Sequence, residues 1–119
     1  MSDAYKSIKS RYLSSDEKRL LSALLLKAGI TKTVSWIDSI SIFPFDDGGM
    51  GSYYFLECHS IQVASDILFL DSDGVCVLAT LYVNNNYEPC EVEMWKMDYS
   101  SLKQIPQVII DVRDKNEGC

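Results

Sequence analysis

The chain has 119 residues, enough for one domain with a real core that buries roughly two-thirds of its unfolded surface. Its 47% hydrophobic and 24% charged content is an ordinary globular balance and excludes a globally disordered chain. The net charge of −6 disfavours nucleic acid and anionic lipid as direct partners, and it is uneven: residues 1–32 carry seven bases against three acids (+4), residues 33–119 four bases against 14 acids (−10).

Residues 1–12 are polar and basic, with sparse apolar points at Tyr5, Ile8 and Tyr12; they read as a flexible arm or a short helical turn. In the stretch that follows, Ser14 and Glu17 form a capping-box pattern, and Leu20, Leu21, Leu24, Leu25 and Ala28 recur at helical spacing. Gly29 is placed as a C-cap, so an amphipathic helix is expected over about 15–28. Its apolar run falls short of a membrane span of about 20 residues, and no secretory cleavage segment is visible.

The period then changes. "TVSWIDSISIF" alternates, with Val34, Trp36, Ile40 and Ile42 on one side, which predicts a half-buried strand interrupted at Asp38 by a bulge. "SYYFLE" reads as a second strand and "QVASDILFL" as a third, ending in the acid–glycine turn "DSDG". "VCVLATLYV" is the fourth strand, and "NNNYEP" is a second turn. "CEVEMWKMD" is the fifth, with Cys90, Val92 and Met94 alternating against Glu91, Glu93 and Trp95. "QVIIDV" predicts a sixth strand or an edge segment, and residues 113–119 a polar tail. The expected fold is a single α+β domain over residues 1–119. Its N-terminal helix packs on one face of a mainly antiparallel five- or six-stranded meander sheet. The other face, carrying Tyr, Trp, Glu and Asn, is a natural binding surface.

The four cysteines, Cys58, Cys76, Cys90 and Cys119, form no C-x-x-C pair, so neither a zinc ribbon nor a redox motif is indicated. With no secretory signal, the expectation is a cytoplasmic protein with reduced thiols, Cys58 and Cys76 acting as small core hydrophobes and Cys119 as the most exposed thiol.

"DDGGMGS", residues 46–52, has the glycines of a phosphate loop. It lacks the lysine, precedes a strand rather than a helix, and sets two carboxylates where phosphate would lie. As metal loops, Asp46 with Asp47 and Asp71 with Asp73 both miss the EF-hand ligand spacing. The bland reading is that aspartate and glycine are here turn residues. His59 directly follows Cys58, and neighbours on a strand point to opposite faces, so the two make no catalytic dyad. No catalytic set, metal or cofactor is expected. The remaining signal is the aromatics among acids in the strand region, read either as cross-strand packing or as anchors of a protein interface.

The leucine-rich helix, the "DDGGMGS" loop, the "D-S-D-G" hairpin and the closing Trp95, Lys96, Asp98, Ser100 and Leu102 resemble, over about residues 13–102, a family of small bacterial proteins of unknown function. That likeness implies no catalytic residues. In its small, acidic, single-domain character the chain is more loosely similar to the immunity proteins of contact-dependent growth-inhibition and other polymorphic toxin systems. This implies a toxin-inhibiting role in which Asp46, Asp47, Glu91 and Glu93 meet basic groups around a toxin's active site, while Tyr53, Tyr54 and Trp95 supply buried contact. The partner would be the cognate toxin domain, possessing a basic surface, with no nucleic acid or membrane bound directly. Two other readings stand beside it: a small enzyme or ligand-binding domain using residues 46–52, and a regulatory protein that binds a basic partner unrelated to toxins.

Overall fold

The computed structural model describes residues 9–115. The long helix, α1, spans Ser15–Ala28. The Ser14 side chain accepts from the Glu17 N–H, the Glu17 carboxylate accepts from the Ser14 N–H, and Gly29 closes the far end in the left-handed region at φ 73°. Leu20, Leu21, Leu24 and Leu25 are all buried, each contributing about 2–3 kcal/mol relative to exposure.

The segment expected as a first strand differs. Residues Val34–Ser39 form a short helix, α2, capped by Thr33, whose hydroxyl accepts from the Trp36 N–H at 3.0 Å. Trp36, Ile37 and Ile40 turn toward the core at helical spacing, and Val34 is exposed. Asp38 marks no bulge; it pairs with Lys18 of α1 at 2.9 Å.

Six strands follow one another in a single antiparallel sheet: β1 (Arg11–Tyr12), β2 (Ser41–Pro44), β3 (Tyr53–Tyr54), β4 (Gln62–Leu70), β5 (Cys76–Val83) and β6 (Pro89–Lys96). Their spatial order is β1-β2-β3-β6-β5-β4. Two three-stranded meanders, β1 to β3 and β4 to β6, are therefore joined where β3 pairs with β6, and the β3–β4 connection crosses the ends of β6 and β5. The fold is α+β, with one long helix packed on an antiparallel six-stranded sheet.

Pairing register separates the two faces. Val77, Ala79 and Leu81 of β5 lie opposite Lys96, Met94 and Val92 of β6, and all of these but Lys96 join the α1 leucines, Ile67 and Phe69 in the apolar core. On the other face Leu78, Thr80 and Tyr82 lie opposite Trp95, Glu93 and Glu91. Ser65 ties the layers together by donating to the Leu24 carbonyl at 2.7 Å.

The segment "QVIIDV" adds no strand. It runs beside α1 and β4 and ends in a 3-10 turn over Val112–Lys115. Arg19 donates to the Pro106 carbonyl at 2.8 Å, and Asp111 accepts from both Lys27 and Arg113. The Asp66 carbonyl on β4 takes the Lys27 ammonium at 2.7 Å, so a side chain, rather than a seventh strand, meets that edge.

Candidate functional site

The "DDGGMGS" loop is a docking turn. Asp47 holds it closed by accepting from the Ser52 N–H at 3.0 Å and the Gly51 N–H at 3.4 Å. Gly49 lies at φ 80°, its carbonyl accepts from the Leu102 N–H, and a Cβ there would sit 3.0 Å from the Ser101 Cβ. The Ser52 hydroxyl accepts from the Met94 N–H at 2.8 Å, continuing the sheet ladder through a side chain. Residues 46–52 thus pack onto β6 and the segment after it.

Lys96, on that same strand, is fully buried. Its ammonium donates to Asp71 at 2.8 Å, Asp73 at 2.6 Å and the Ser101 carbonyl at 3.0 Å. The aspartates of the "DSDG" turn therefore meet a lysine. Burial pushes the Asp71 carboxyl up, but donation from the Lys103, Gln104 and Ser72 N–H groups and from Lys96 outweighs it and holds the pKa at about 2. This ion-pair hub joins the β4–β5 turn, β6 and residues 101–104 into one structural unit.

The helix-free face of the sheet carries different chemistry. Phe43 stacks on Tyr54 with ring centroids 5.1 Å apart, and Phe45 leans on Tyr54 at 5.4 Å. Glu91 lies beside Tyr54, and Glu93 and Trp95 continue along β6. The Tyr82 hydroxyl donates to Glu93 at 3.0 Å; burial first, and this carboxylate second, push its pKa up to about 12. Two adjoining cavities share Phe45 and Glu91. One, about 360 Å³, is lined also by Asp46, Asp47, Ser52 and Glu93. The other, about 290 Å³, runs past Tyr54 to a wall made by Leu56, Glu57, Cys58, His59 and Ile61. Among the described residues, neither lining contains a lysine or arginine.

Of the residues expected to meet a partner, Tyr54, Glu91, Glu93 and Trp95 lie on this face, and Asp46 is exposed at its edge. Asp47 lines the groove, but its carboxylate also closes its own loop. Tyr53 does not belong with them. It is 2% exposed, pairs with Val92 and faces α1, because successive strand residues point to opposite sides. Burial raises its hydroxyl pKa well above the ordinary tyrosine value.

The thiol expectations also change. Cys58 is half-buried in the β3–β4 loop and forms a disulfide with Cys90, which is 1% exposed. Cys76 is buried as expected, but it too is disulfide-bonded rather than a reduced thiol. Cys119 lies outside the described residues. Sequence reasoning also missed the Lys96 hub and the contribution of Phe43 and Phe45. The available signals were the burial-side parity of Lys96 on β6 and the aromatics that flank Pro44. No described helix is long and apolar enough to cross a membrane.

No curated protein and no solved structure matches the chain. Residues 10–106, most of its length and the part that holds the helix, the sheet and the ion-pair hub, match a family described as a domain of unknown function (DUF6984), and the chain belongs to that family.

Proposed function

We propose that this protein is a non-enzymatic immunity protein that binds and neutralises a cognate toxin domain by steric and electrostatic occlusion. The observation that carries this reading is the helix-free sheet face, where Tyr54, Glu91, Glu93 and Asp46 line a groove with no lysine or arginine among its described residues, and Trp95 continues the same face along β6. Aromatic groups provide contact area, and carboxylates attract and orient a basic surface such as one that receives phosphates. Several described acids away from the groove are taken up in ion pairs. Asp71 and Asp73 neutralise Lys96, and Asp66 and Asp111 neutralise Arg113. Asp46, Glu91 and Glu93, by contrast, line the groove. On this reading the protein works in the cytoplasm, where such a toxin acts.

The test is co-expression with the toxin encoded just upstream of the gene. Survival, together with a complex that co-elutes on a sizing column, supports the reading. Death at the rate seen with toxin alone, with no complex, sinks it. The ligand-binding alternative built on residues 46–52 stands beside it, because Asp46, Asp47 and Ser52 line the 360 Å³ cavity with Glu91 and Glu93, although Asp47 and Ser52 also hold the fold.

A further inference from the structure

We propose that the Cys58–Cys90 disulfide is a redox latch that fixes one wall of the carboxylate–aromatic groove when oxidised and frees it on reduction by a dithiol. One wall of the groove is a loop. Residues 55–61 must cross from β3, beside β6, to β4 at the far side of the sheet. In crossing, Leu56, His59 and Ile61 wall the 290 Å³ cavity opposite Phe45, Tyr54 and Glu91. The start of the loop is held by the Phe55 and Leu56 N–H groups, which donate to the Cys90 carbonyl at 2.8 and 3.2 Å. Beyond that point Glu57, His59, Ser60 and Ile61 are exposed, so core burial gives this stretch little anchorage. The covalent tether is the bond from Cys58 to Cys90.

The two sulfurs are unequally accessible. Cys58 is half-buried and Cys90 is buried, so an incoming thiolate attacks the Cys58 sulfur and Cys90 leaves with the bonding pair. The reductant's second thiolate then attacks its own sulfur in the mixed disulfide and releases the Cys58 thiolate. Two electrons pass from the dithiol, which becomes a disulfide, and the two protein thiolates take up two protons. Cys90 stays in the core as a small apolar group. The loop that carries Cys58 loses its tether, and Tyr54 and Glu91, half-buried in the latched form, become reachable from that side. In a reducing cytoplasm this wall of the groove would be free to move. This consequence rests on the partner reading above; the latch itself does not, and it is tested without any partner.

The experiment is residue-resolved amide exchange by NMR on the full chain in three samples: oxidised, reduced with dithiothreitol, and the Cys58→Ser/Cys90→Ser double variant without reductant. The variant separates this bond from that of Cys76. Both opened samples should show exchange at residues 57–61 at least tenfold faster than the oxidised chain. The amide shifts of Tyr54 and Glu91 should move, while β4 and β5 keep their native shifts. Unchanged exchange at 57–61 overturns the proposal, because the loop would then be held by other means. Loss of the native β4–β5 shifts in either opened sample also overturns it, because the bond would then be a staple of the whole fold. A loop that loosens only with dithiothreitol, and not in the double variant, assigns the effect to another disulfide and overturns it as well.

Discussion

Lys96 shows how a single buried charge can organise a small domain. Its ammonium has no solvent access and three oxygen partners, so its stability depends on the aspartates that face it. Asp71→Ala should destabilise the protein by about 3 kcal/mol, because it leaves a buried cation under-compensated and also frees the Lys103 and Gln104 N–H groups. Urea denaturation checks this, and a loss under about 1 kcal/mol would refute the hub. The folded pKa of Asp71, about 2, lies below its ordinary value of 3.8. Folding therefore favours the ionised form. This share of stability is fully present above about pH 4 and is lost as pH falls toward 2. Asp111 adds in the same direction, because Arg113 holds its carboxyl below the usual range despite burial. Urea midpoints from pH 5 to pH 2 should drop steeply in the wild type and less steeply in Asp71→Asn; equal slopes would remove Asp71 from this role. Glycine at position 49 has a separate reason. Gly49→Ala combines strain at φ 80° with an approach of 3.0 Å to Ser101, whereas at Gly48, φ 75°, a Cβ meets open space. The first should cost about 2 kcal/mol and the second about 1, read from the same urea curves. Equal costs would mean that the loop does not dock on Ser101.

At the scale of elements, legibility followed the density of local signals. Helix α1 was readable because cap, period and stop all agree over 14 residues. Strands β4, β5 and β6 were readable because each is a run of eight or nine residues rich in apolar or β-branched side chains, alternating clearly on β6, and explicit turns divide them. The stretch before β2 misled because Val34, Trp36, Ile40 and Ile42 also fit period two. Thr33 as a cap, with Trp36, Ile37 and Ile40 on one helical side, was the competing pattern, and packing decided for it. Thr33→Ala should accordingly destabilise by about 1 kcal/mol, and a neutral result in urea denaturation would show that α2 owes nothing to its cap. The strand at "SYYFLE" was legible, but its contraction to two residues in β3 and the absence of a strand at "QVIIDV" were not, since both depend on distant partners: the Cys90 carbonyl, which receives Phe55, and the arginine–aspartate network along β4. The candidate face was half legible. Alternation on β6 placed Glu91, Glu93 and Trp95 together, but the inward turn of Tyr53 follows from which residue of β3 pairs with Val92, and one sequence does not state register.

At the scale of the whole molecule, the division of charge makes the partner reading testable by salt. Reversing Asp47 would disturb both the groove and the loop it closes, so Asp46 and Glu93 are the informative pair: one exposed at the loop, the other exposed on β6. Asp46→Lys/Glu93→Lys should leave the urea midpoint nearly unchanged, since neither residue is buried. Against a basic toxin domain the double reversal should slow association by about tenfold or more at low ionic strength. The screening length shrinks from about 30 Å at 0.01 M to about 3 Å at 1 M salt, so the deficit should narrow as salt rises. Trp95→Ala should behave differently. It removes contact area rather than charge, so it should speed dissociation at every salt concentration. Tyr53→Phe, altering a side chain that faces α1, should leave both rates alone. Stopped-flow or surface-resonance kinetics across a salt series separates these outcomes. A charge-reversal deficit independent of salt, or a Trp95→Ala variant with wild-type dissociation, would move the interface off this face.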